Sequence, residues 1–287
     1  MKQARPSVTA AWVAAARTFG ELLPAELHIA EDPYGAAFAN VHVPRIAKSR
    51  LGRRLALAPG LGTWIMYMQV RTRVLDDIVR AFIAKQHAGQ LVLLGAGYDC
   101  RALRLRALAD VPVFEVDHPA TQARKQRVLA KLGAASPAHY VTWDFEARPL
   151  AELPGALALA GLDRTRPVLT IWEGVTMYLT QGAIDASLRA IHDWSAPQSQ
   201  LAMTYFERTR IESPSPMMRL VRGAVRGIGE PFIWGWNRDE VEPYLAARGF
   251  AVRDNRSLDD AAYDFLPSRV AALVQGRNSC YALAEVL

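Results

Sequence analysis

From residue 91 onward, short apolar runs alternate with longer stretches in which apolar positions recur every three or four residues. Leu91–Leu94, Val113–Val116, His139–Thr142, Val168–Trp172 and Gln200–Thr204 have the character of strands, and Cys280–Val286 that of a last one. The segments near 101–109, 119–132, 148–161 and 181–194 carry the helical period. Near-continuous apolar strands separated by helices predict a mostly parallel sheet covered on both faces. Before this region, residues 1–60 form helical pieces broken by Pro24, Pro33, Pro44 and Pro59. A long amphipathic helix over 64–85 follows, with Val74, Leu75, Ile78, Val79 and Phe82 on one face, and His87–Gly89 ends it. Residues 207–279 break the rhythm with Pro214, Pro216 and Pro231 and with Phe232, Trp234 and Trp236. The expected architecture is a doubly wound α/β domain without an internal linker. It comprises a helical cap (1–88), a core (89–206), a lid insertion with a helix near Arg238–Arg248 (207–279) and a last strand (280–287).

Composition narrows the class. The 287 residues are 51% hydrophobic and 22% charged, which fits a globular chain. No apolar run approaches the roughly 18–20 residues that cross a bilayer. Met1–Val8 is polar with no apolar stretch behind it, so no secretory leader is expected. Two cysteines, Cys100 and Cys280, are too few for a disulfide framework or a cysteine zinc site. The six histidines (His28, His42, His87, His118, His139 and His192) form no ligand constellation, so no metal is expected. A soluble, reduced, cytoplasmic protein without a membrane partner is the expectation. The net charge, 34 basic minus 28 acidic residues or +6, is spread along the chain. No run of five or six like charges marks a nucleic-acid surface, although RNA is not excluded, and an acidic small molecule is compatible with the balance. Arg50, Arg53 and Arg54, and Arg101, Arg104 and Arg106, are expected on solvated faces.

The segment Leu91-Val-Leu-Leu-Gly-Ala-Gly-Tyr-Asp-Cys-Arg101 runs from a buried strand through Gly95 and Gly97 into a helix. Glycines there permit positive φ and let a ligand approach backbone closely, and ligands of open α/β sheets bind beyond the strand C-termini. The second strand ends in Asp117, 20 residues after Gly97. A carboxylate at that tip accepts the two hydroxyls of an adenine nucleotide's ribose; the competing role is an N-cap for the helix that Asp117-His-Pro opens. Glu115, on the same face of the strand, either faces the same crevice or orients an arginine of the cap. Cys100 stands where a third glycine would complete a dinucleotide fingerprint, which counts against NAD or FAD and favours a nucleoside cofactor without phosphates.

Three further positions carry charge where burial is expected. Asp144 and Phe145 follow the third strand and suit an adenine amino group and ring. Glu173 follows the fourth strand directly, where a carboxylate needs a partner, either a cationic cofactor or a nearby arginine. Arg71 shares the apolar face of the long helix; an inward guanidinium either holds the free carboxylate of an amino-acid cofactor or forms an internal salt bridge.

In this order the stretches Asp32-Pro-Tyr, Val70-Arg-Thr-Arg, Leu94-Gly-Ala-Gly-Tyr-Asp, Phe114-Glu-Val-Asp-His-Pro, Trp143-Asp-Phe, Glu173-Gly-Val-Thr-Met-Tyr-Leu and Gly229-Glu-Pro-Phe resemble the leucine carboxyl methyltransferase family. These are class I enzymes dependent on S-adenosyl-L-methionine, and the resemblance implies a Rossmann-like sheet of seven strands. It also implies that Arg71 holds the methionine carboxylate, Gly95 and Gly97 back the cofactor, Asp117 takes the ribose, Asp144 and Phe145 the adenine, and Glu173 the methionine amino group. Tyr178 matches a family tyrosine that faces the methyl acceptor.

Two departures bear on the acceptor. Leu93 replaces the acid that many class I methyltransferases carry before the glycine turn, as is common in this family. Glu146 stands where the phosphatase methyltransferases have an arginine for the substrate carboxylate, which points away from a peptide C-terminus and toward the small-molecule branch. The expected activity is O-methylation of a carboxylate or hydroxyl of a small molecule in secondary metabolism, with Arg208 or Arg210 steering an acidic acceptor. The alternatives are a tRNA-modifying carboxyl methyltransferase and an NAD-dependent oxidoreductase. Phe232, Trp234 and Trp236 serve either as a lid over an apolar acceptor or as core, and Arg219, Arg222 and Arg226 form a helical series.

Overall fold

The computed structural model describes residues 6–20, 23–38, 49, 50, 54, 60–213, 219, 223, 226, 227, 231–274 and 278–287. His42, Pro44, Arg53, Pro59, Pro214, Pro216, Arg222, Gly229 and Glu230, named above, lie outside them.

Seven strands form one sheet: β1 (Gln90–Leu94), β2 (Val113–Asp117), β3 (His139–Thr142), β4 (Val168–Trp172), β5 (Gln200–Phe206), β6 (Phe250–Ser257) and β7 (Ser279–Val286). Their order is β3-β2-β1-β4-β5-β7-β6. The first five pair in parallel, and β7 runs antiparallel to both β5 and β6. Every residue of β1, β2 and β4 is buried, which is why these segments are apolar runs rather than alternating ones.

The main helices are α1 (Val8–Phe19), α2 (Leu61–Lys85), α3 (Pro119–Lys131), α4 (Leu153–Leu159), α5 (Gln181–Trp194) and α6 (Arg238–Ala246). Alternate strand residues sort to opposite faces. Val92, Leu94, Phe114 and Val116 pack with α4, α5 and α6, while Leu91, Leu93, Val113, Leu169 and Ile171 meet Leu75, Val79 and Phe82 of α2. Among the described residues no helix is long and apolar enough to cross a membrane.

The N-terminal segment closes over the sheet edge. Ser7 caps α1 by accepting from the Ala10 N–H at 3.1 Å. Arg17 of α1 reaches Asp32 Oδ2 at 2.6 Å and the Tyr98 carbonyl at 2.9 Å, so α1, the Asp32-Pro-Tyr turn and the loop after β1 are tied at one point.

The stretch expected as an insertion holds more of the fold than that. Residues 250–257 are β6, an edge strand paired with β7, and the short helices Leu258–Ala261 and Ser268–Val274 pack against α2. The described segment 231–236 is pinned to the turn after β4, and even there Trp236 is a core residue, 2% exposed, edge-on to Tyr205 and Tyr244.

Candidate active site

Register places the candidate residues on one line. Leu93 is level with Ile171, and Leu94 with Val116, so Gly95 falls level with both Glu173 and Asp117. Asp117 pairs with Thr142, two residues before Asp144. The order of strands reverses between β1 and β4, and the crevice beyond their carboxyl ends is where open α/β sheets bind ligands.

Gly95 and Gly97 both adopt left-handed backbone, with φ of +71° and +53°. A Cβ on Gly95 would lie 2.6 Å from Val175 Cγ2, and one on Gly97 3.1 Å from Ala10 Cβ, so bulk is excluded at both. The Gly97 N–H donates to Asp117 Oδ2 at 2.5 Å and the His118 N–H to Oδ1 at 2.6 Å. His118, not Asp117, caps α3, accepting from the Ala120 N–H. Asp117 instead ties the tip of β2 to the glycine turn and is 8% exposed. Burial raises its pKa, and the two backbone N–H bonds partly oppose that rise. Each carboxylate oxygen keeps a second lone pair for a further donor.

Asp144 Oδ1 accepts the N–H groups of Glu146 and Ala147 at 3.0 and 3.3 Å, and its Oδ2 lies 3.8 Å from His118 Nε2. Phe145 beside it is 40% exposed, a large ring left facing outward at the carboxyl edge of β3. Glu115 does not enter this crevice. Its Oε2 meets Lys125 Nζ of α3 at 2.5 Å, with both side chains almost wholly buried, so its partner is a lysine of the sheet-covering helix and not an arginine of the cap.

The strongest electrostatic feature lies between β1 and β4. Arg71 Nε stands 2.8 Å from Glu173 Oε1, yet neither atom has a hydrogen-bond partner, because the contact is out of line. Glu173 Oε2 accepts from Arg101 Nη1 at 2.7 Å. Arg101 Nε donates to Asp76 Oδ1 at 2.8 Å, and its Nη1 also pairs with Asp99. Arg104 closes on Asp76 from the other side, with Nη2 at 2.8 Å from Oδ1. With the Arg17–Asp32 pair, four guanidiniums here face four carboxylates. Burial opposes ionisation of Glu173, but Arg101, then Arg71 and Arg17, overcome it and hold the carboxyl well below its ordinary range. The same carboxylates raise the Arg101 pKa despite complete burial.

Arg101 and Arg104 are therefore not on a solvated face; their side chains are 1% and 5% exposed. Asp76, Asp99 and Arg17 also escaped the sequence reading. One signal was present: Asp76 adjoins Leu75 on the apolar face of α2, where an unpaired carboxylate is costly.

The other side of the crevice is aromatic. Tyr178 lies on a single 3₁₀ turn, Thr176–Tyr178, with its ring centroid 5.4 Å from that of Phe232. Met177, Phe206 and Phe232 are buried together, with Tyr178 and Ile211 against them. The Met177 carbonyl accepts the N–H groups of Ile233 and Trp234, which pins the 231–236 segment to the turn after β4. Arg208 and Arg210, expected to steer an acceptor, are engaged elsewhere: Arg208 pairs with Glu240 at 2.6 Å, and Arg210 donates to Ser279 Oγ and stacks over Phe206. Of the Arg219, Arg222 and Arg226 series, Arg219 and Arg226 are exposed and Arg222 lies outside the described residues. Among the described residues no group of three or more His, Cys, Asp or Glu side chains is arranged to hold a metal ion.

Comparison with known proteins bears on this arrangement. The family model described as leucine carboxyl methyltransferase matches residues 10–192. A protein of Streptomyces coelicolor is 37% identical over 206 residues, covering 68% of this chain; the chain spans just under two thirds, 64%, of that relative's length. A protein of Mycobacteroides abscessus is 36% identical over 259 residues, 87% of this chain and 84% of the relative. Both are provisionally named S-adenosyl-L-methionine-dependent methyltransferases. A crystal structure from Thermobifida fusca, provisionally described as a methyltransferase, superposes with a TM-score of 0.59 at 17% identity, covering 98% of this chain and 95% of that one, which establishes the shared fold.

Proposed function

The chain belongs to the leucine carboxyl methyltransferase family of S-adenosyl-L-methionine-dependent methyltransferases, and on that premise we propose that it methylates an oxygen, a carboxylate or hydroxyl, of a small molecule of secondary metabolism. The observation that carries the reading is the out-of-line Arg71–Glu173 pair at the switch point of the sheet. A cation and an anion held side by side, each with an unused hydrogen-bonding atom, match the methionyl end of the cofactor, which carries an adjacent carboxylate and ammonium. Arg71 then takes the carboxylate and Glu173 the ammonium, each as a charge-assisted bond of about 1.5–3 kcal/mol. The rest of the edge matches as well. Asp117 has lone pairs for two ribose hydroxyls, Asp144 Oδ2 has capacity for an adenine amino group, and Phe145 offers a ring beside it. The left-handed glycines at 95 and 97 shape the turn that carries the backbone from β1 past the tip of β2, where Gly97 holds Asp117.

When bound, the cofactor supplies a methyl group on a positively charged sulfur, already activated for displacement. The chain's contribution is alignment and exclusion of water, which together account for roughly 7–11 kcal/mol in well-oriented reactions. Tyr178, Met177, Phe206 and Phe232 form the wall on the acceptor side, and their apolar surface favours a partly apolar acceptor. A carboxylate acceptor is ionised at neutral pH and needs no general base. Glu146, exposed on the turn after β3, supports the small-molecule branch, since the cation that would hold a peptide's terminal carboxylate is not at that position.

The test is calorimetric titration with S-adenosyl-L-methionine, followed by transfer of radiolabelled methyl to a panel of aromatic and aliphatic carboxylic acids and phenols. Micromolar binding and base-labile or ether-stable labelled product are expected, for carboxyl and hydroxyl acceptors respectively. Absence of binding at high micromolar cofactor contradicts the reading.

A further inference from the structure

Glu173 is gripped from two directions that are not equivalent. Arg71 touches Oε1 out of line, from α2. Arg101 bonds Oε2 in line at 2.7 Å, from the short helix Arg101–Arg104 after the glycine turn. If Arg71 turns to a ligand carboxylate, the in-line bond that remains on Glu173 among the described residues is the one from Arg101. Arg101 is itself immobilised. Its Nε is held by Asp76, its Nη1 by Asp99, and its backbone N–H donates to Asp99 Oδ1 at 2.7 Å. Asp76 is in turn held by Arg104. The side chain is 1% exposed, and a planar fork bound at both Nε and Nη1 cannot swing without breaking two charge-assisted bonds.

Resting on the cofactor reading above, we propose that Arg101 is the positioning residue of this site: braced by Asp76 and Asp99, it fixes the Glu173 carboxylate so that Oε1 faces the ligand's ammonium group. Arg101 touches no ligand atom and acts through Glu173. Arg101 is also the leading positive influence on Glu173, ahead of Arg71 and Arg17, so that the carboxylate stays ionised when Arg71 turns away. The consequence is a division of labour between two arginines on one acid. Arg71 exchanges partners when ligand binds, and Arg101 does not.

The experiment compares two ligands that share an adenosine thioether and differ in the amino-acid end. S-adenosylhomocysteine has the ammonium and carboxylate; 5′-methylthioadenosine has neither. Binding of both to the full chain is measured by calorimetry for the wild type, Arg101→Gln, Arg101→Lys and Asp76→Asn. The expected result is a roughly tenfold to hundredfold loss of S-adenosylhomocysteine affinity in Arg101→Gln, with methylthioadenosine affinity unchanged within about twofold. Arg101→Lys, which keeps the charge but not the fork, recovers part of the loss. Asp76→Asn, which loosens the brace, gives the same split in smaller measure, and these two variants decide the matter should Arg101→Gln not fold. Equal loss of both ligands in the folded variants, or no loss of either, overturns the positioning role. A wild type that binds neither ligand contradicts the cofactor reading itself.

Discussion

Arg71 on α2 and Glu173 at the tip of β4 stand 2.8 Å apart with their hydrogen-bonding directions turned past each other. Two opposite charges so placed are stabilised by proximity while each keeps a bond to give. A ligand that carries both charges exchanges with the pair and leaves both Arg71 and Glu173 Oε1 partnered, whereas a ligand with a carboxylate alone takes Arg71 and leaves Oε1 without a partner, Glu173 then being held only through Oε2 by Arg101.

Replacing Arg71 by Met is expected to remove the proposed contact to the ligand carboxylate and one of the arginines that support Glu173. S-adenosylhomocysteine affinity is expected to fall roughly tenfold to hundredfold. Stability should fall by about 1–3 kcal/mol, less than the ~3–5 kcal/mol of a fully broken buried pair, because Arg101 stays on Glu173. Calorimetry and urea unfolding measure the two effects separately.

Asp117 gives a pH dependence of known sign. Burial raises its pKa above the ordinary 3.8, against the opposing Gly97 and His118 bonds. In the proposed ribose contact, the ionised form is the one with acceptors for both hydroxyls. Cofactor affinity is thus constant at neutral pH and declines as pH falls through a midpoint above 3.8. In Asp117→Asn affinity is weaker at neutral pH, by roughly tenfold or more, and the acid decline attributed to this group is gone. Titrations from neutral pH downward into the acid range, on wild type and variant alike, decide it.

Glu173 gives a pH dependence of stability that is also lost in acid, but at lower pH, because its folded pKa is lowered and not raised. Its folded pKa lies below the ordinary 4.5, so its ionised form stabilises the native state above that value, and the contribution is withdrawn as pH falls below it. The stability difference between wild type and Glu173→Gln is expected to be flat from about pH 6 to 8 and to narrow only in stronger acid, by urea unfolding at each pH.

Glycine substitutions separate strain from collision. At Gly133 φ is +66° and no atom lies within 4 Å of a new Cβ, so Gly133→Ala meets only left-handed strain, about 1–2 kcal/mol. Gly95→Ala adds a 2.6 Å approach to Val175 at φ +71° and should lose clearly more stability than Gly133→Ala. Equal losses in chemical denaturation would show that Val175 yields freely.

On the aromatic side, Phe232→Ala opens the wall beside Tyr178 and should lower kcat/KM for the acceptor about tenfold or more while leaving S-adenosylhomocysteine affinity unchanged. Steady-state kinetics with the acceptor found in the panel assay, alongside calorimetry, measures the split.

The elements that the sequence makes plain are those whose every residue is buried. β1, β2 and β4 are unbroken apolar runs because both faces are covered, and the acids that follow them stand out as charges at strand ends. β6 does not stand out: its Arg253-Asp-Asn-Arg-Ser is polar, since an edge strand paired only with β7 needs little apolar surface. Helix α2 begins at Leu61, three residues before the expected Trp64, on a left-handed Gly60 that no periodicity reveals. Arg101 and Arg104 look like surface arginines because their carboxylate partners come from another helix and another strand end, a relation that only folding creates. The same holds for Arg208 and Arg210, whose partners lie on α6 and β7.

A crystal structure of the chain with S-adenosylhomocysteine bears most directly on the exchange at Arg71 and Glu173. The predicted outcome has the Arg71 guanidinium on the ligand carboxylate, the ammonium on Glu173 Oε1, and the ribose hydroxyls on Asp117. A complex in which the Arg71–Glu173 contact persists and the ligand's amino-acid end points to solvent would contradict the account.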